Sequence, residues 1–293
     1  MTAHTLLERP PAPVAAPGLG RCRVLGVLNV TPDSFSDGGH YLDLEAAVAR
    51  GLALVDDGAD IVDVGGESTR PGAERVSETE ELRRVVPVVR ALSAVGVSVS
   101  VDTMRASVAA AALDAGAVIV NDVSGGLADS AMLPLLAESQ ALAILMHWRA
   151  HAAVMDRHAT YDAVVHDVRG ELARRVDAAL AAGVDHGKIV LDPGLGFAKT
   201  PEQSWALLAG LPALQELGFP VLVGASRKRF LAECVDHGCL DPTNPVDRDG
   251  ASDAVAAWAA TAGAWGVRVH VPAPSAAAVR VAARLASCEG GEH

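Results

Sequence analysis

Polar side chains follow each of eight short apolar stretches along the chain, and many of them can bind charged or hydrogen-bonding groups. These positions are Asn29, Asp63, Asp102, Asn121, His147, Asp192, Ser226 with Lys228, and Arg268 with His270. Carboxylates accept hydrogen bonds from ring N–H and amino groups, and an asparagine amide both donates and accepts. One such residue alone could be a turn former or a helix cap, but the recurrence at all eight positions favours a functional site.

Two ends of a binding site can be assigned from this set. Four side chains could read a flat, nitrogen-rich ring such as an aminopyrimidinone: Asp102, Asn121, Asp192 and Lys228. Positive charge collects at Lys228, Arg268 and His270, which suits phosphate. The uncharged oxygen of Asn29 suits Mg²⁺, an ion that takes few protein ligands and keeps phosphate oxygens and water as the rest. We interpret His147 as a polar strand end near the site and not as a metal ligand.

The apolar stretches have the character of buried strands, and they alternate with Ala-rich segments of helical length. The predicted strands are 23–30, 60–66, 97–102, 117–123, 142–147, 188–194, 220–226 and 266–270. The predicted helices include 44–57, 78–94, 105–115, 162–182 and 251–264. Eight such units predict an α/β fold, a single closed (β/α)8 TIM barrel, whose strands direct their carboxyl ends to one catalytic face. An open doubly wound sheet is the alternative, and it is disfavoured because no strand has the character of an edge.

Two predicted loops at the catalytic face, after the first and second strands, are longer than the short connections of a barrel. They carry the sequences NVTPDSFSDGG (29–39) and GGESTRPGA (65–73). Long loops at a catalytic face often act as lids. Asp33 and Arg70 could pair across the closed mouth of the site, although both loops could instead be ordinary solvated segments.

The composition argues against two classes of partner. The chain has 293 residues, with 24 Lys and Arg against 36 Asp and Glu, and a formal net charge of −12. Nucleic acids and anionic membranes bind basic faces, so neither is expected as a partner. An anionic small ligand needs only local positive charge. No apolar stretch is long enough to span a membrane, and the N-terminal residues do not have the pattern of a secretory signal.

The domain organisation is predicted as a disordered tail (1–20), one barrel domain (21–288) and a short C-terminal tail (289–293). Prolines and glycines indicate the first tail. Four cysteines match no zinc motif and are too few for a disulfide scaffold: Cys22, Cys234, Cys239 and Cys288. We therefore expect reduced thiols in a cytoplasmic protein. The segment 148–165 follows the fifth strand and could be another rim loop, with no role assigned to it.

Seven sequence blocks resemble the signature blocks of dihydropteroate synthase. They are GVLNVTPDSFSDGG, DVGGESTRPGA, VDTMR, VNDVSGG, LDPGLGFAKT, GASRKRF and RVH. The blocks occur in the order of that family and span residues 24 to 270, which is nearly the whole predicted barrel. DPG alone would be weak evidence, but the first two blocks are long and nearly free of ambiguity.

The resemblance implies a folate-pathway transferase that joins 6-hydroxymethyl-7,8-dihydropterin diphosphate to 4-aminobenzoate and yields 7,8-dihydropteroate and diphosphate. The implied pterin diphosphate contacts are Asp102, Asn121, Asp192, Lys228, Arg268 and His270, with Asn29 binding Mg²⁺ beside the diphosphate. The implied aminobenzoate side is Ser68, Thr69, Arg70, Pro71, Phe197 and Ser226, next to Lys228. The implied catalytic group is Asp102, Asp192, Lys228, Asp33 and Arg70, the last two in the ordered lid.

The implied reaction does not need a covalent enzyme intermediate. Diphosphate can leave early because the electron-rich pterin delocalises the resulting cation, which Asp102 and Asp192 can stabilise electrostatically. Mg²⁺, Arg268 and His270 would stabilise the departing anion. The amine is then held in line with the methylene carbon, and proximity supplies much of the remaining acceleration.

One position departs from the family pattern. The family usually has an Asp directly after the histidine of RVH, whereas Val271 follows His270 here. We expect that Asp to be a structural or capping residue, and we predict that Ser275 caps the last helix instead. If the Asp also orients the histidine, the diphosphate pocket is altered, so a catalytically silent pterin-binding paralogue is an alternative. The intact loop motifs favour an active enzyme.

Two other enzyme classes share parts of this pattern. A pterin-binding methyltransferase on the same barrel should lack TPDSF and STRPG, which this chain contains. A Schiff-base aldolase could use Lys228, but the ring-binding Asp and Asn residues would then be unexplained. The family also implies a homodimer packed through barrel helices and a sulfonamide target, although the sequence does not determine the sensitivity.

Lys228 generates the first testable prediction. Only three of the 24 basic residues are lysine, yet a lysine stands between Arg227 and Arg229. A compact ammonium with three donors can reach a ring acceptor while its stem packs against the second substrate, and a planar guanidinium is too wide. Lys228→Arg should therefore abolish most product formation in a steady-state assay although the charge is kept. Turnover at the wild-type rate would contradict this interpretation.

Overall fold

The sheet is a closed ring of parallel strands. The computed structural model describes residues 20–31, 39–67, 75–151, 154–235 and 240–289. Its eight strands are β1 (Arg23–Asn29), β2 (Ile61–Gly65), β3 (Val99–Asp102), β4 (Ile119–Asp122), β5 (Leu142–Met146), β6 (Ile189–Asp192), β7 (Leu222–Val223) and β8 (Gly266–Val269). They pair in the order β6-β5-β4-β3-β2-β1-β8-β7, and a parallel bridge between Leu191 and Val221 closes the ring. The predicted single (β/α)8 TIM barrel is confirmed, and an open doubly wound sheet is excluded.

Helices cover the outside of the strands. They are α1 (Gly39–Asp56), α2 (Glu78–Ala94), α3 (Ala106–Asp114), α4 (Met132–Ser139), α5 (Val164–Ala181), α6 (Pro201–Ala209), α7 (Leu211–Gln215), α8 (Asp249–Thr261) and α9 (Pro272–Glu289). Local sequence explains two of the helix starts. The Ser77 side chain accepts from the Glu80 N–H to cap α2, and Thr200 and Gln203 form a reciprocal capping box at α6. The five predicted helices match in position, and α1 begins earlier than its prediction.

Side-chain alternation along the strands separates an outer apolar layer from the barrel interior. In β6, Ile189 and Leu191 belong to the core between strands and helices, whereas Val190 belongs to a cluster inside the barrel. That interior cluster contains Leu25, Ile61, Ile119, Leu142, Ile144, Val190, Leu222 and Trp265. Asp192 lies two residues beyond Val190 and faces the same interior. The interior therefore has an apolar floor, with polar side chains above it at the carboxyl ends of the strands.

Strand β7 is much shorter than predicted. The sequence predicts a strand over 220–226, but only Leu222–Val223 forms a strand, and it pairs with Gly266 and Val267 of β8. Pro220 has no N–H to donate to a neighbouring strand. After the strand, the Lys228 N–H donates to the carbonyl oxygen of Ala225 at 3.1 Å, and Arg227 has a φ of 61°. The chain thus turns away from the sheet, and it places Lys228 on a loop at the barrel mouth.

Residues 148–151 and 154–163 form a rim loop before α5, in the region where one was expected, and a 3₁₀ turn covers Met155–His158. It packs against the loop that follows β6. The Tyr161 hydroxyl donates to the carbonyl oxygen of Ala198 at 3.0 Å, and the Gln203 side chain donates to that of Ala159 at 3.1 Å. These contacts connect the fifth and sixth loops of the barrel mouth.

The domain bounds are only partly described by the structure. Helix α9 continues to Glu289, and residues 1–19 and 290–293 lie outside the described residues, as do 32–38 and 68–74 in the two long loops. The predicted tails and lids therefore stay predictions. Within the described part of the chain, no helix is both long and apolar enough to cross a membrane.

Candidate active site

A cavity of about 970 Å³ opens at the carboxyl ends of the strands. Its wall includes every predicted site residue that the structure describes: Asn29, Asp102, Asn121, Asp192, Phe197, Ser226, Lys228, Arg268 and His270. The other predicted site residues lie outside the described residues: Asp33, Ser68, Thr69, Arg70 and Pro71. Barrel closure therefore brings side chains from β1, β3, β4, β6 and β8 to one cavity, as the sequence analysis expects.

A buried salt-bridge network crosses the interior beneath this cavity. Arg268 on β8 donates through Nε to Asp63 Oδ2 at 2.6 Å and through Nη2 to Asp102 Oδ2 at 2.7 Å. The Asn121 side-chain amide donates to the same oxygen of Asp63 at 3.1 Å. Asp63 is completely buried, and its Oδ1 accepts no hydrogen bond from the described residues. One guanidinium thus holds together side chains from β2, β3 and β4.

Asp63 lies elsewhere than its position in the sequence suggests. The sequence analysis groups it with the strand ends, but β2 runs from Ile61 to Gly65, so Asp63 is at its centre. It faces inward because Val62 and Val64 on either side face the helices. A carboxylate at this depth needs a charged partner, which Arg268 supplies. Arg268 was predicted to bind the diphosphate, and in the structure two of its N–H groups donate to carboxylates.

The protonation of Asp102 follows from its surroundings. Burial raises the pKa of the Asp102 carboxyl above its usual range, Arg268 opposes this rise, and the nearby Asp63 carboxylate adds to it. The group lies in the cavity wall, where a ring N–H or amino group of a ligand would meet it. A bound donor would favour its ionised form.

Asp192 and Lys228 face each other across Gly224. A side chain at Gly224 would start 3.6 Å from Asp192 Oδ2 and 3.9 Å from Lys228 Nζ, so the glycine keeps the space between them open. The Gly194 N–H donates to Asp192 Oδ1 at 2.7 Å. Burial lowers the pKa of Lys228 to about 8, and the attraction of Asp192 acts in the opposite direction. The Lys228 ammonium lies 4.7 Å from the centre of the Phe197 ring.

Ser226 orients His270. The Ser226 hydroxyl accepts the His270 backbone N–H at 3.2 Å and lies 3.0 Å from His270 Nδ1, to which it can donate its own hydrogen. This contact does not involve residue 271, so the family Asp is not needed to hold the imidazole. The prediction that Ser275 caps the last helix is wrong: α9 begins at Pro272, and the Ser275 hydroxyl donates to Asp253 of α8 at 2.8 Å. Proline suits a helix start because its φ is already helical.

His147 lies just beyond β5 and is buried behind the cavity wall. Its Nε2 lies 2.9 Å from Glu171 Oε2, and its Nδ1 lies 2.9 Å from Lys199 Nζ. Burial is the main cause that lowers the pKa of His147 to about 4, and the Lys199 charge acts in the same direction. The imidazole is therefore neutral, with its hydrogen on Nε2. Its role in this structure is to link a strand end to two charged side chains.

The sequence analysis assigned no role to two residues of this region, Asp63 and Lys199. It listed Asp63 only as one of the polar residues that follow apolar stretches. Lys199 lines the cavity, and its ammonium is buried. One signal was present in the sequence for it: the rarity of lysine that singles out Lys228 applies equally to Lys199, which lies within the block LDPGLGFAKT.

The sequence and the fold both match known proteins. The family model described as "Pterin binding enzyme" matches residues 25–270. The dihydropteroate synthase of Mycobacterium leprae is 55% identical over 266 residues, which cover 90% of this chain and 93% of that relative. The Xanthomonas albilineans dihydropteroate synthase with 4-aminobenzoic acid matches with a TM-score of 0.83 and 43% identity, covering 91% of this chain and 94% of that one. The same enzyme in complex with 7,8-dihydropteroate has a TM-score of 0.79, 41% identity and the same coverages, 91% and 94%.

The chain belongs to the dihydropteroate synthase family of pterin-binding enzymes. The resemblance stated from the seven sequence blocks is thereby confirmed. Identity to synthases over nearly the whole chain favours the synthase, a transferase, over the methyltransferase and aldolase alternatives. In this family member, Val271 stands where an Asp is usual, and Ser226 holds the neighbouring histidine.

The buried imidazole predicts a specific loss of stability in acid. The unfolded chain binds a proton at His147 below its ordinary pKa of 6.5, whereas the folded protein does so only near a pKa of about 4. Stability that is present above pH 6.5 is therefore lost as the pH falls towards 4. The full loss from this group is roughly 3 kcal/mol, since each unit of pKa difference is worth about 1.4 kcal/mol.

Urea unfolding of the wild type and of His147→Gln between pH 7 and pH 4 measures this loss. The variant should show a flatter decline of unfolding free energy over that range. His166→Gln is the control, because the His166 side chain is 85% exposed. Equal slopes for the wild type and His147→Gln would contradict the assignment of a neutral, buried imidazole.

The salt-bridge network predicts that Asp63 controls pterin binding without contacting solvent. Asp63→Asn removes a negative charge that holds Arg268 in position. The KM for the pterin substrate should therefore rise by about ten-fold or more, which corresponds to the loss of one hydrogen bond between charged groups. Asp60→Asn is the matched control, because Asp60 also bonds an arginine, Arg21 at 2.8 Å, but at the opposite end of the barrel. A similar KM for both variants would refute the role of Asp63.

Proposed function

We propose that this protein condenses 6-hydroxymethyl-7,8-dihydropterin diphosphate with 4-aminobenzoate, and releases 7,8-dihydropteroate and diphosphate. The observation that carries the proposal is the placement of two complementary groups in one cavity. Ring-reading side chains come from β3, β4 and β6, and anion-binding side chains come from the adjacent strands β8 and β1. A heterocycle joined to a diphosphate would span both groups.

Pterin recognition is proposed for Asp102, Asn121, Asp192 and Lys228. The Asn121 amide is oriented by Asp63, which accepts from its nitrogen and leaves its oxygen as the acceptor for a ring donor. The two aspartates accept from ring N–H and amino groups, and Lys228 donates to a ring acceptor. Because a salt bridge holds Asp102 and hydrogen bonds hold the other three side chains before the ligand binds, little reorganisation accompanies binding.

The proposed chemistry is diphosphate departure followed by capture of the amine. The bond between the methylene carbon and the diphosphate oxygen breaks, and its electron pair leaves with the diphosphate. The pterin ring delocalises the positive charge that develops, and the carboxylates of Asp102 and Asp192 stabilise it at close range. The aminobenzoate nitrogen then bonds to the methylene carbon and loses one proton to solvent.

The diphosphate end is proposed to consist of Asn29, Arg268 and His270. Asn29 offers a neutral oxygen in the cavity wall, and the described residues contain no group of three acidic, histidine or cysteine side chains that could hold a metal ion by themselves. This donor set fits Mg²⁺ that takes its remaining ligands from the diphosphate and from water. When bound, the ion would neutralise charge on the departing diphosphate.

The aminobenzoate side is proposed to lie between Phe197, Ser226 and the stem of Lys228. The ring of Phe197 offers an apolar face beside the Lys228 ammonium. Ser68, Thr69, Arg70 and Pro71 would complete this side, and Asp33 would pair with Arg70 in the lid. A sulfonamide that carries the same aniline ring would compete with aminobenzoate for this space.

We propose that the protein forms a homodimer and is located in the cytoplasm. An apolar groove between α6 and α8 is lined by Trp205, Leu208, Val255 and Trp258, and the Trp258 side chain is 41% exposed. A second copy of the chain would cover these rings. Three free thiols among the described residues support a reducing compartment: Cys22, Cys234 and Cys288.

The decisive measurement is diphosphate release by the purified protein with Mg²⁺ and the pterin diphosphate, with and without 4-aminobenzoate. Release should depend on aminobenzoate and should yield dihydropteroate. Val271→Asp, which restores the family residue, should remain within about threefold of the wild type, because Ser226 already orients His270 and substitutions without a lost contact have small effects.

Calorimetry of pterin binding, combined with the product assay, can contradict the proposal. Pterin binding without product, under conditions in which a known synthase turns over, would refute the enzyme and indicate a silent pterin-binding paralogue. Recovery of activity in Val271→Asp alone would locate that defect at the diphosphate end.

A further inference from the structure

Lys199 is a buried charge that the proposed reaction does not use. Its ammonium lies 2.9 Å from His147 Nδ1, 3.0 Å from the Gly194 carbonyl oxygen and 2.9 Å from the Phe197 carbonyl oxygen. An ammonium has three N–H donors, and these three acceptors use all of them. Burial lowers the pKa of the Lys199 amine well below its ordinary value. All three neighbours of its nitrogen are acceptors, however, and only the ammonium form can donate to each of them.

The imidazole of His147 is the anchor of this ammonium. Since Nδ1 accepts from Lys199, the imidazole hydrogen is on Nε2, where it donates to Glu171 of α5 at 2.9 Å. Glu171 also accepts from the guanidinium of Arg149, through Nε at 3.2 Å. The Lys199 ammonium is therefore tied through a single hydrogen-bonded chain to the end of β5 and to helix α5.

A second lysine of the cavity wall bonds the same turn. Lys228 donates to the carbonyl oxygen of Leu195, so three of the four carbonyls of the turn Gly194–Phe197 accept from a lysine. The turn also lies close against the end of β5. Gly194 has a φ of 66°, and a side chain there would start 2.5 Å from the backbone oxygen of His147.

The rim loop after β5 covers the turn from outside. The Tyr161 hydroxyl donates to the carbonyl oxygen of Ala198, a non-glycine residue with a φ of 49°. The guanidinium of Arg149 stacks 3.8 Å from the centre of the Tyr161 ring. This conformation of Ala198 costs energy and persists only because its neighbours hold it. The shape of the turn is thus imposed by side chains from β5, α5 and the rim loop.

We propose that Lys199 is a positioning residue that fixes the turn Gly194–Phe197, and thereby places the Phe197 ring beside Lys228 as one wall of the aminobenzoate site. The proposal rests on the function proposed above. It deepens that function by making the affinity for 4-aminobenzoate depend on a residue that takes no part in the reaction. Of the proposed pterin contacts, Asp102 and Asn121 do not touch this turn, whereas Asp192 accepts from the Gly194 N–H and Lys228 donates to the Leu195 carbonyl oxygen. Lys199 bonds the turn at the carbonyls of Gly194 and of Phe197, the proposed aminobenzoate contact. Loss of Lys199 should therefore weaken aminobenzoate binding more than pterin binding.

Lys199→Met tests the proposal, because methionine keeps the length of the side chain but leaves His147 Nδ1 and the Phe197 carbonyl oxygen without a donor, while the Gly194 carbonyl oxygen keeps the Phe197 N–H. The KM for 4-aminobenzoate should rise by about ten-fold or more, while the KM for the pterin diphosphate changes by less than about threefold. Lys188→Met is the matched control: Lys188 precedes the same strand β6 at the opposite end of the barrel. It should leave both constants at the wild-type values.

A general loss of structure would give a different result. A fall in kcat with both KM values unchanged, or an equal rise of both KM values, would overturn the proposal. If Lys199→Met does not fold, Tyr161→Phe decides, because it removes only the hydroxyl that holds Ala198. It should raise the aminobenzoate KM selectively by about threefold, and no change would overturn the proposal.

The wild-type assay separates this inference from the proposed function. If diphosphate release by the wild type does not depend on aminobenzoate, the proposed function fails whatever the variants do. If the wild type is an active synthase and Lys199→Met keeps the wild-type aminobenzoate KM, only the role of Lys199 fails.

Discussion

The salt bridges from Arg268 to Asp63 and Asp102 connect strands across the barrel interior, near the carboxyl ends of the strands. The interior of a closed barrel excludes water, so a charge placed there is stable only with a partner of opposite sign. Two carboxylates from β2 and β3 share one guanidinium from β8, and Asn121 of β4 donates to the same carboxylate oxygen. Four strands are thus held in register by polar contacts above an apolar floor. Two of the four proposed pterin contacts, Asp102 and Asn121, are positioned by this arrangement.

A similar constraint operates on the opposite side of the cavity, where two lysines lie within a few ångströms of one turn. Lys228 donates to the Leu195 carbonyl oxygen, Lys199 donates to those of Gly194 and Phe197, and both lysines line the cavity. The Lys199 ammonium is buried and donates to three acceptors, two of which are carbonyl groups of the turn, and the half-buried Lys228 donates to a third carbonyl of the turn. The hydrogen bonds that satisfy these ammonium groups therefore also determine the shape of the proposed aminobenzoate wall. This coupling connects the buried charges to the proposed chemistry.

Most of the architecture was predictable from local patterns. Apolar strands alternating with helices predict the parallel barrel, and the barrel in turn predicts that polar residues at strand ends meet in one cavity. Prediction failed where a long-range contact overrides a local signal. Asp63 follows an apolar stretch like a strand end, but it is central to β2 because Arg268 neutralises it there. Ser275 has the character of a helix cap, yet it bonds α8 because α9 already begins at Pro272.

The sequence by itself determined the order of strands and helices along the chain, the family, and nine of the residues that line the cavity. These follow from hydrophobic periodicity and from ordered motifs, which are local properties of the chain. Only the tertiary structure decided which charges pair and which nitrogen of His147 carries its hydrogen. Asp63 and Arg268 are 205 positions apart, and His147 and Lys199 are 52 apart. Such pairs exist only after the barrel closes, because the cost of burying each charge is offset by a partner that local sequence does not specify.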